Sequence, residues 1–245
     1  MAALMLTCGC EQPSGAVTSA ASERAAAPST QVTPSLASSV EPAPKAVRIA
    51  FVGDVTMTSK VGRLVARRVR KQRVAEPASN VAFPFDRVAS RLRSADVLVG
   101  NLECVASSLG TPAHERTPLR CPPASLQALV EAGFDVMSVA NNHSMDFGRA
   151  AFDDSLKQLR QHHLLALGAA SMRHQPQTAL VLVKRGVRIG LLGYFHPPPK
   201  PYDDVTKARR DVDVLIVFNH WGRENRAEPM PQQRQLARAL IDAGA

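Results

Sequence analysis

From Val47 onward, short apolar runs alternate with longer stretches in which apolar residues recur every three or four positions. Val47-Arg48-Ile49-Ala50-Phe51-Val52 reads as a strand that ends at Gly53-Asp54. The spacing predicts a helix around Val61 to Arg73 and a second around Phe85 to Arg93. Asp96 to Gly100 is a short buried strand terminated by Asn101-Leu102-Glu103, and Ser107 to Pro123 reads as a Pro- and Thr-rich loop. A helix over 125–133 has Ser125 as its N-cap and Gly133 as its stop. A strand over 135–140 then runs into Asn141-Asn142-His143, and a helix over 149–163 places Phe152, Leu156 and Leu159 on one face. Thr178 to Val183 and Val187 to Tyr194 are strands separated by Lys184-Arg185-Gly186, a hairpin signal. Val212 to Asn219 is a further buried strand ending at His220-Trp221-Gly222, and Pro231 to Ala243 is a helix with Leu236 and Leu240 on one face. Strands alternating with helices predict an α/β fold, and the hairpin makes its sheet mixed.

The first 46 residues break this rhythm. Met1 to Cys10 is apolar and ends in Thr7-Cys8-Gly9-Cys10, which resembles the tail of a bacterial lipoprotein signal. Cys10 is the lipidation candidate and Cys8 the alternative; a start codon placed too late accounts for the missing basic region. Residues 11–46 are Ala-, Ser- and Pro-rich and hold too little apolar surface to offset the entropy of ordering, so they read as a disordered tether. The folded domain therefore spans 47–245.

Composition refines this in two places. Aromatic residues make up only 4% of the chain, so the core has to be built from Val, Leu, Ala and Met. The formal charge of +9 favours anionic partners, or is simply a solvated basic face. Its densest run, Arg63, Arg67, Arg68, Arg70, Lys71 and Arg73, falls on one helix without interleaved aromatics for base stacking, which argues against nucleic acid. Cys104 and Cys121 read as two free thiols, with a pairing across the intervening loop as the alternative in an exported protein.

Four strand ends carry chemically similar groups: Gly53-Asp54, Asn101-Leu102-Glu103, Asn142-His143 with Asp146, and His220. Ligand sites of α/β sheets lie outside the carboxyl ends of the strands, so these residues are expected to share one crevice. Carboxylate, amide oxygen and imidazole are the ligands of Mn, Fe, Zn or Mg, and no thiolate is needed. The glycines beside Asp54, Asn101 and Trp221 permit tight turns and close backbone approach. Asp146 has a second possible use, as the cap of the helix over 149–163.

These motifs resemble the bacterial CapA family, linked to poly-γ-glutamate capsule synthesis, whose members look like the calcineurin-like metallophosphoesterases. The resemblance covers roughly residues 47–245. It rests on Gly53-Asp54-Val55-Thr56-Met57, Asn101-Leu102-Glu103, Ala140 to Gly148, Asn219-His220-Trp221-Gly222-Arg223-Glu224 and the tail Gln233 to Ala245. It implies mixed β-sheets flanked by helices, an αββα sandwich, with divalent metal activating a water and clamping a phosphoryl group. By position it implies that Asp54, Asn101, Glu103 and His220 hold metal. Asn142 would then ligate or polarise a phosphoryl oxygen, and His143 would act as general acid or transition-state donor. Asp146 and Glu224 would support them from behind, Glu224 by orienting the His220 imidazole. Thr56 stands where the first phosphoesterase motif carries a His, and the family's last His-rich motif is absent, so the resemblance also implies a domain truncated at its C-terminus.

Three readings follow from this. The first is a metal-dependent hydrolase on the cell envelope, acting on a phosphoryl-containing substrate or an acidic polymer within a capsule synthesis complex. The second is a non-catalytic capsule lipoprotein that binds acidic polymer through its basic surface. The third is a fragment that does not fold. The lipoprotein expectation has its own test. Replacing both Cys8 and Cys10 by Ala is expected to move the protein from the membrane fraction to the soluble fraction, and a variant that stays with the membrane overturns it.

Overall fold

The computed structural model describes residues 46–72, 81–113, 117–197 and 201–245. The lipidation candidate Cys10 and the tether, apart from Ala46, lie outside these described residues.

The apolar runs become strands in two main sheets. The first has the order β1-β2-β5-β6 and is parallel throughout: β1 (Ile49–Val55), β2 (Val97–Leu102), β5 (Val136–Ser138) and β6 (Leu165–Leu167). The second joins β7 (Leu180–Lys184), β8 (Val187–Phe195) and β9 (Val214–His220). In it β7 and β8 form the expected hairpin, while β9 runs parallel to β8. The hairpin turn is only Arg185-Gly186, both at positive φ (52° and 85°), the geometry of a two-residue turn whose twist matches the strands. A two-stranded parallel ribbon, β3 (Val105–Ala106) with β4 (Arg120–Cys121), lies within and just before the stretch read as loop. Neither it nor β6 has the length to announce itself as an apolar run.

Side chains alternate along each strand, and that alternation assigns the layers. Val97 and Val99 of β2 and Ile49 and Phe51 of β1 pack in one cluster with Ile189 and Leu191 of β8 and Ile216 and Phe218 of β9. The two sheets are therefore stacked face to face, and Phe51 stacks on Phe218 with ring centroids 6.0 Å apart. The opposite face of the first sheet, including Leu98, Leu102 and Met137, is covered by α1 (Ser59–Gln72) through Val65 and Val69, α3 (Leu126–Ala132) through Leu126 and Leu129, and α4 (Gly148–Gln161) through Phe152 and Leu159. The outer face of the second sheet, with Leu192, Tyr194 and Leu215, is covered by α5 (Tyr202–Arg209) and α6 (Pro231–Asp242) through Val205, Leu236 and Leu240. The result is an αββα sandwich whose large buried side chains are mostly Leu, Ile and Met, as the scarcity of aromatics requires.

Some expected boundaries shift for local reasons. The helix expected over 85–93 is a single 3-10 turn, Phe83–Phe85, followed by a short α2 (Ala89–Leu92). Ser125 does not cap α3: its hydroxyl donates back to the Pro122 carbonyl, and Ser125 itself ends a 3-10 turn over 123–125. Gly133 does stop that helix, at φ 95°. Cys104 and Cys121 are both buried and free. The β3–β4 pairing sets Ala106 opposite Cys121, and the Cys121 thiol is held protonated by burial first and by the neighbouring Cys104 thiol second.

Gly100 is the glycine with the tightest reason to be one in β2. A Cβ there would lie 2.7 Å from the Phe134 ring and 3.2 Å from Val52. Gly100→Ala is expected to cost about 1–3 kcal/mol through overpacking, read as a lower urea midpoint with an unchanged slope. An unchanged midpoint would show that Phe134 yields freely.

Candidate metal centre

One irregularity in β1 makes the site. The pairing with β2 aligns Phe51 with Val99 but Asp54 with Asn101, so Val52 and Gly53 together oppose the single residue Gly100. This is a β-bulge, and it resets the alternation of the strand. Ile49 and Phe51 point between the sheets, and simple alternation would turn Asp54 toward the helices. The bulge instead gives Asp54 the same side as Asn101. Gly53 has no atom within 4 Å of where a Cβ would stand, so it is not needed for close approach there. From the other sheet, His220 follows Ile216 and Phe218 at intervals of two and so also faces inward. Asp54, Asn101 and His220 meet at the carboxyl ends of two stacked sheets.

Their contacts form one network. Asn101 Nδ2 donates to Asp54 Oδ1 at 2.7 Å and lies 3.2 Å from His220 Nδ1. His220 Nε2 is 2.9 Å from Asn142 Oδ1. Since Nδ2 is only a donor and Oδ1 only an acceptor, the network is satisfied by a neutral His220 protonated on Nε2. Burial lowers the proton affinity of His220, with the Asp54 charge opposing and His143 and His196 adding to the effect. Glu103 Oε1 is 3.8 Å from His220 Nε2, and Asp54 Oδ1 is 3.7 Å from Nδ1. One ligand atom from each of Asp54, Glu103 and His220 lies within 4.8 Å of the others. Burial and then the Asp54 charge push the Glu103 carboxyl up to about 7.

The structure thus gathers Asp54, Asn101, Glu103, Asn142 and His220 in one cluster. His143 stands beside them, close enough to act electrostatically on both Glu103 and His220. Its Nδ1 donates to Asp146 Oδ2 at 2.8 Å, and the same oxygen accepts from the Leu119 amide at 2.7 Å. Asp146 therefore orients His143 and does not cap α4, whose N-cap is Phe147 with no side-chain bond. Both ring nitrogens of His220 face amides, Asn101 and Asn142, which orient the imidazole, while Glu224 is exposed and adds its charge to Glu103.

Two residues enter that the motif reading passed over. Asn141 is fully buried; its Nδ2 donates to Asn101 Oδ1 at 3.0 Å and to the Leu102 carbonyl at 2.9 Å, while its Oδ1 accepts from the His143 amide. That fixes the Asn101 amide with NH2 toward the crevice and oxygen away from it. The doublet Asn141-Asn142 after an apolar strand was the available signal. His196, just past the end of β8, packs tilted against the Phe195 ring, centroids 4.2 Å apart, and affects His220. Its signal was a histidine following a strand that pairs with the His220 strand.

Fold and site define an α/β sandwich protein with a polar, carboxylate- and imidazole-lined crevice at its strand ends. The sequence model described as "Bacterial capsule synthesis protein PGA_cap" matches residues 48–245, and the chain belongs to that family. It is 30% identical to the PGA biosynthesis protein CapA of Bacillus subtilis (strain 168), over 80% of this chain and 54% of the relative. It is 25% identical to the capsule biosynthesis protein CapA of Bacillus anthracis, over 80% of this chain and 51% of the relative. The chain spans about half the length of these curated relatives. A solved structure of a hypothetical protein from Thermus thermophilus aligns at TM-score 0.46 and 16% identity, over 81% of this chain and 65% of that one.

The raised Glu103 carboxyl has a stability consequence. Its folded value of about 7 lies above the ordinary 4.5, so its contribution to the metal-free protein is full below pH 4.5 and is lost as pH rises through 7. Glu103→Gln is therefore expected to stabilise the metal-free protein by roughly 1–3 kcal/mol at pH 8 and to be neutral at pH 4, measured by denaturant unfolding. A variant destabilised equally at both pH values would show that Glu103 is not an unfavourably buried charge.

Proposed function

We propose that this chain serves capsule polymer synthesis at the bacterial cell envelope as a metal-dependent hydrolase. Its substrate is a phosphoryl ester or an amide bond of an anionic, capsule-related molecule. The observation that carries the reading is the cluster of Asp54, Glu103 and His220 ligand atoms, all within 4.8 Å, with Asn142 and His143 beside it. Two carboxylates and an imidazole fit Mn, Fe, Zn or Mg. Without a cation, burial first and the Asp54 charge second disfavour the ionised form of Glu103, which is why it retains its proton to about pH 7. Asp54 and Glu103 would hold the ion, and His220 would join them by exchanging the Asn101 hydrogen bond at Nδ1, where its lone pair lies. The ion would supply Lewis acidity, polarising a phosphoryl or carbonyl oxygen and easing ionisation of a water.

The surrounding residues have separable tasks. Asn101, expected among the ligands, turns its NH2 to Asp54 and to the Nδ1 lone pair of His220 and so orients both side chains in the metal-free crevice. Asn142 gives its oxygen to His220 and keeps its NH2 for a substrate oxygen. His143, oriented through Nδ1 by Asp146, keeps Nε2 for proton transfer at the leaving atom. Asp54 is half exposed, its side chain at 52%, so substrate reaches the crevice from solvent.

A second reading, a non-catalytic envelope protein that binds acidic polymer, is favoured by the +9 charge and by the row of exposed cations at Lys60, Arg63, Arg67, Arg70 and Lys71 on α1. In both readings lipidation at Cys10 would supply the membrane anchor. Among the described residues no helix is long and apolar enough to cross a membrane.

The chain's single tryptophan, Trp221, adjoins His220 and reports on the site. Mn²⁺ titration is expected to change its fluorescence saturably, and Asp54→Asn or His220→Ala to abolish the change. Glu103 must release its proton to bind a cation, so affinity should rise about tenfold per pH unit below 7 and level off above it. With metal bound, His143→Ala is expected to lower phosphodiester turnover by about 10²-fold or more without loss of Mn²⁺. Absence of saturable binding, or binding indifferent to His220→Ala, overturns the metal reading.

A further inference from the structure

We infer that the outward face of α1 is a docking strip for a linear polyanion, the γ-linked glutamate chain of the capsule, and that it leads toward the Asp54–Glu103–His220 crevice. The inference rests on reading this chain as a capsule-polymer protein, and it assigns the binding surface.

The strip follows from helical geometry. At 100° per residue, Lys60, Arg63, Leu64, Arg67, Arg70 and Lys71 fall within an arc of about 120°. All six are exposed. Gly62, Val65, Ala66 and Val69 occupy the opposite arc and are buried. From Lys60 to Lys71 the strip is about 17 Å long, one or two cations per turn. The helix contains no acidic residue, and no ion pair among the described residues involves these five cations.

This arrangement works against the helix itself. Arg63 with Arg67, and Arg67 with Lys71, are like charges one turn apart, which repel. Lys60 and Arg63 stand at the N-terminal end, where the helix dipole disfavours cations. Only Arg70 and Lys71 sit where the dipole welcomes them. The helix is held by burial of Val65 and Val69, and among the described residues no carboxylate forms an ion pair with the cations of its outward face. A narrow row of cations fits a linear polymer carrying a charge on each repeat. The apolar residue within the strip, Leu64, is aliphatic and offers no ring for base stacking.

Topology links the strip to the site. β1 delivers Asp54 to its carboxyl end, and α1 begins after only Thr56-Met57-Thr58. Ser59 is therefore at most roughly 17 Å along the chain from Asp54, and the strip starts at the crevice end of the sheet. A polymer lying on it would reach the metal centre with one end.

The test uses the full chain and fluorescein-labelled poly-γ-glutamate, followed by anisotropy at low and physiological salt. Wild type is expected to bind, with affinity falling steeply as salt rises. Arg63→Glu with Arg67→Glu is expected to weaken binding about tenfold or more, while Arg234→Glu with Arg238→Glu on α6, an identical change in net charge, should alter it less than about threefold. Far-UV circular dichroism and Mn²⁺ titration should be unchanged in both variants, separating loss of the strip from loss of fold or site. Equal weakening by both pairs overturns the strip but leaves the polymer reading standing. No binding by wild type overturns both. Binding to phosphatidylglycerol vesicles in place of the polymer, lost in the α1 variant, overturns the polymer assignment and makes the strip a membrane contact.

Discussion

The carbonyl of Leu102 and the amide of Asn141 set the orientation of everything at the crevice. Asn141 is fully buried, so its amide has to be hydrogen-bonded within the protein. The Leu102 carbonyl accepts only a donor, which turns the Asn141 NH2 toward β2 and leaves one of its hydrogens for Asn101 Oδ1. Asn101, also buried, then has its oxygen committed and its NH2 directed to Asp54 and His220. The neutral form of His220 and its proton on Nε2 follow, and Asn142 accepts the hydrogen bond from that nitrogen. A backbone carbonyl thus governs, through two amides, which nitrogen of a histidine carries the proton. Such buried polar chains are costly when broken, because each unpaired group keeps its desolvation penalty.

That network spans two sheets, and the sandwich is what makes it possible. The first sheet contributes Asp54 and Asn101, and the second contributes His220. The stacked Phe51 and Phe218 lie below the crevice between the same strands. Glu103 and the Asn141–Asp146 loop close the site from the segments that leave β2 and β5. The crevice can therefore be rigid although most of its residues sit in loops or at strand ends, since every loop starts from a strand in a packed core.

The same chain carries two kinds of electrostatics. In the crevice, burial first and the neighbouring Asp54 charge second raise Glu103. On α1, cations are crowded together in water, where repulsion is screened. The two surfaces are joined by three residues of chain. The proposed anionic polymer and divalent cation would relieve each in turn.

The sequence by itself determined the α/β class, the hairpin, most strands and helices, and a set of candidate residues for the crevice, because apolar periodicity and polar strand ends are local properties of the chain. It placed Asp54, Asn101, Glu103, Asn142, His143 and His220 at strand ends without any knowledge of distance. The short strands β3, β4 and β6 were illegible, since two or three residues carry no period and exist only because a neighbouring strand pairs with them. The bulge at Val52-Gly53 was equally hidden: alternation read from Ile49 and Phe51 sends Asp54 to the helical side, and only pairing against β2 reverses it. The roles of Asn141 and Glu224 also depended on tertiary contact. An amide shows nothing in sequence of which way it is turned, and a carboxylate four residues from a histidine is its partner only if no other group has reached the ring first.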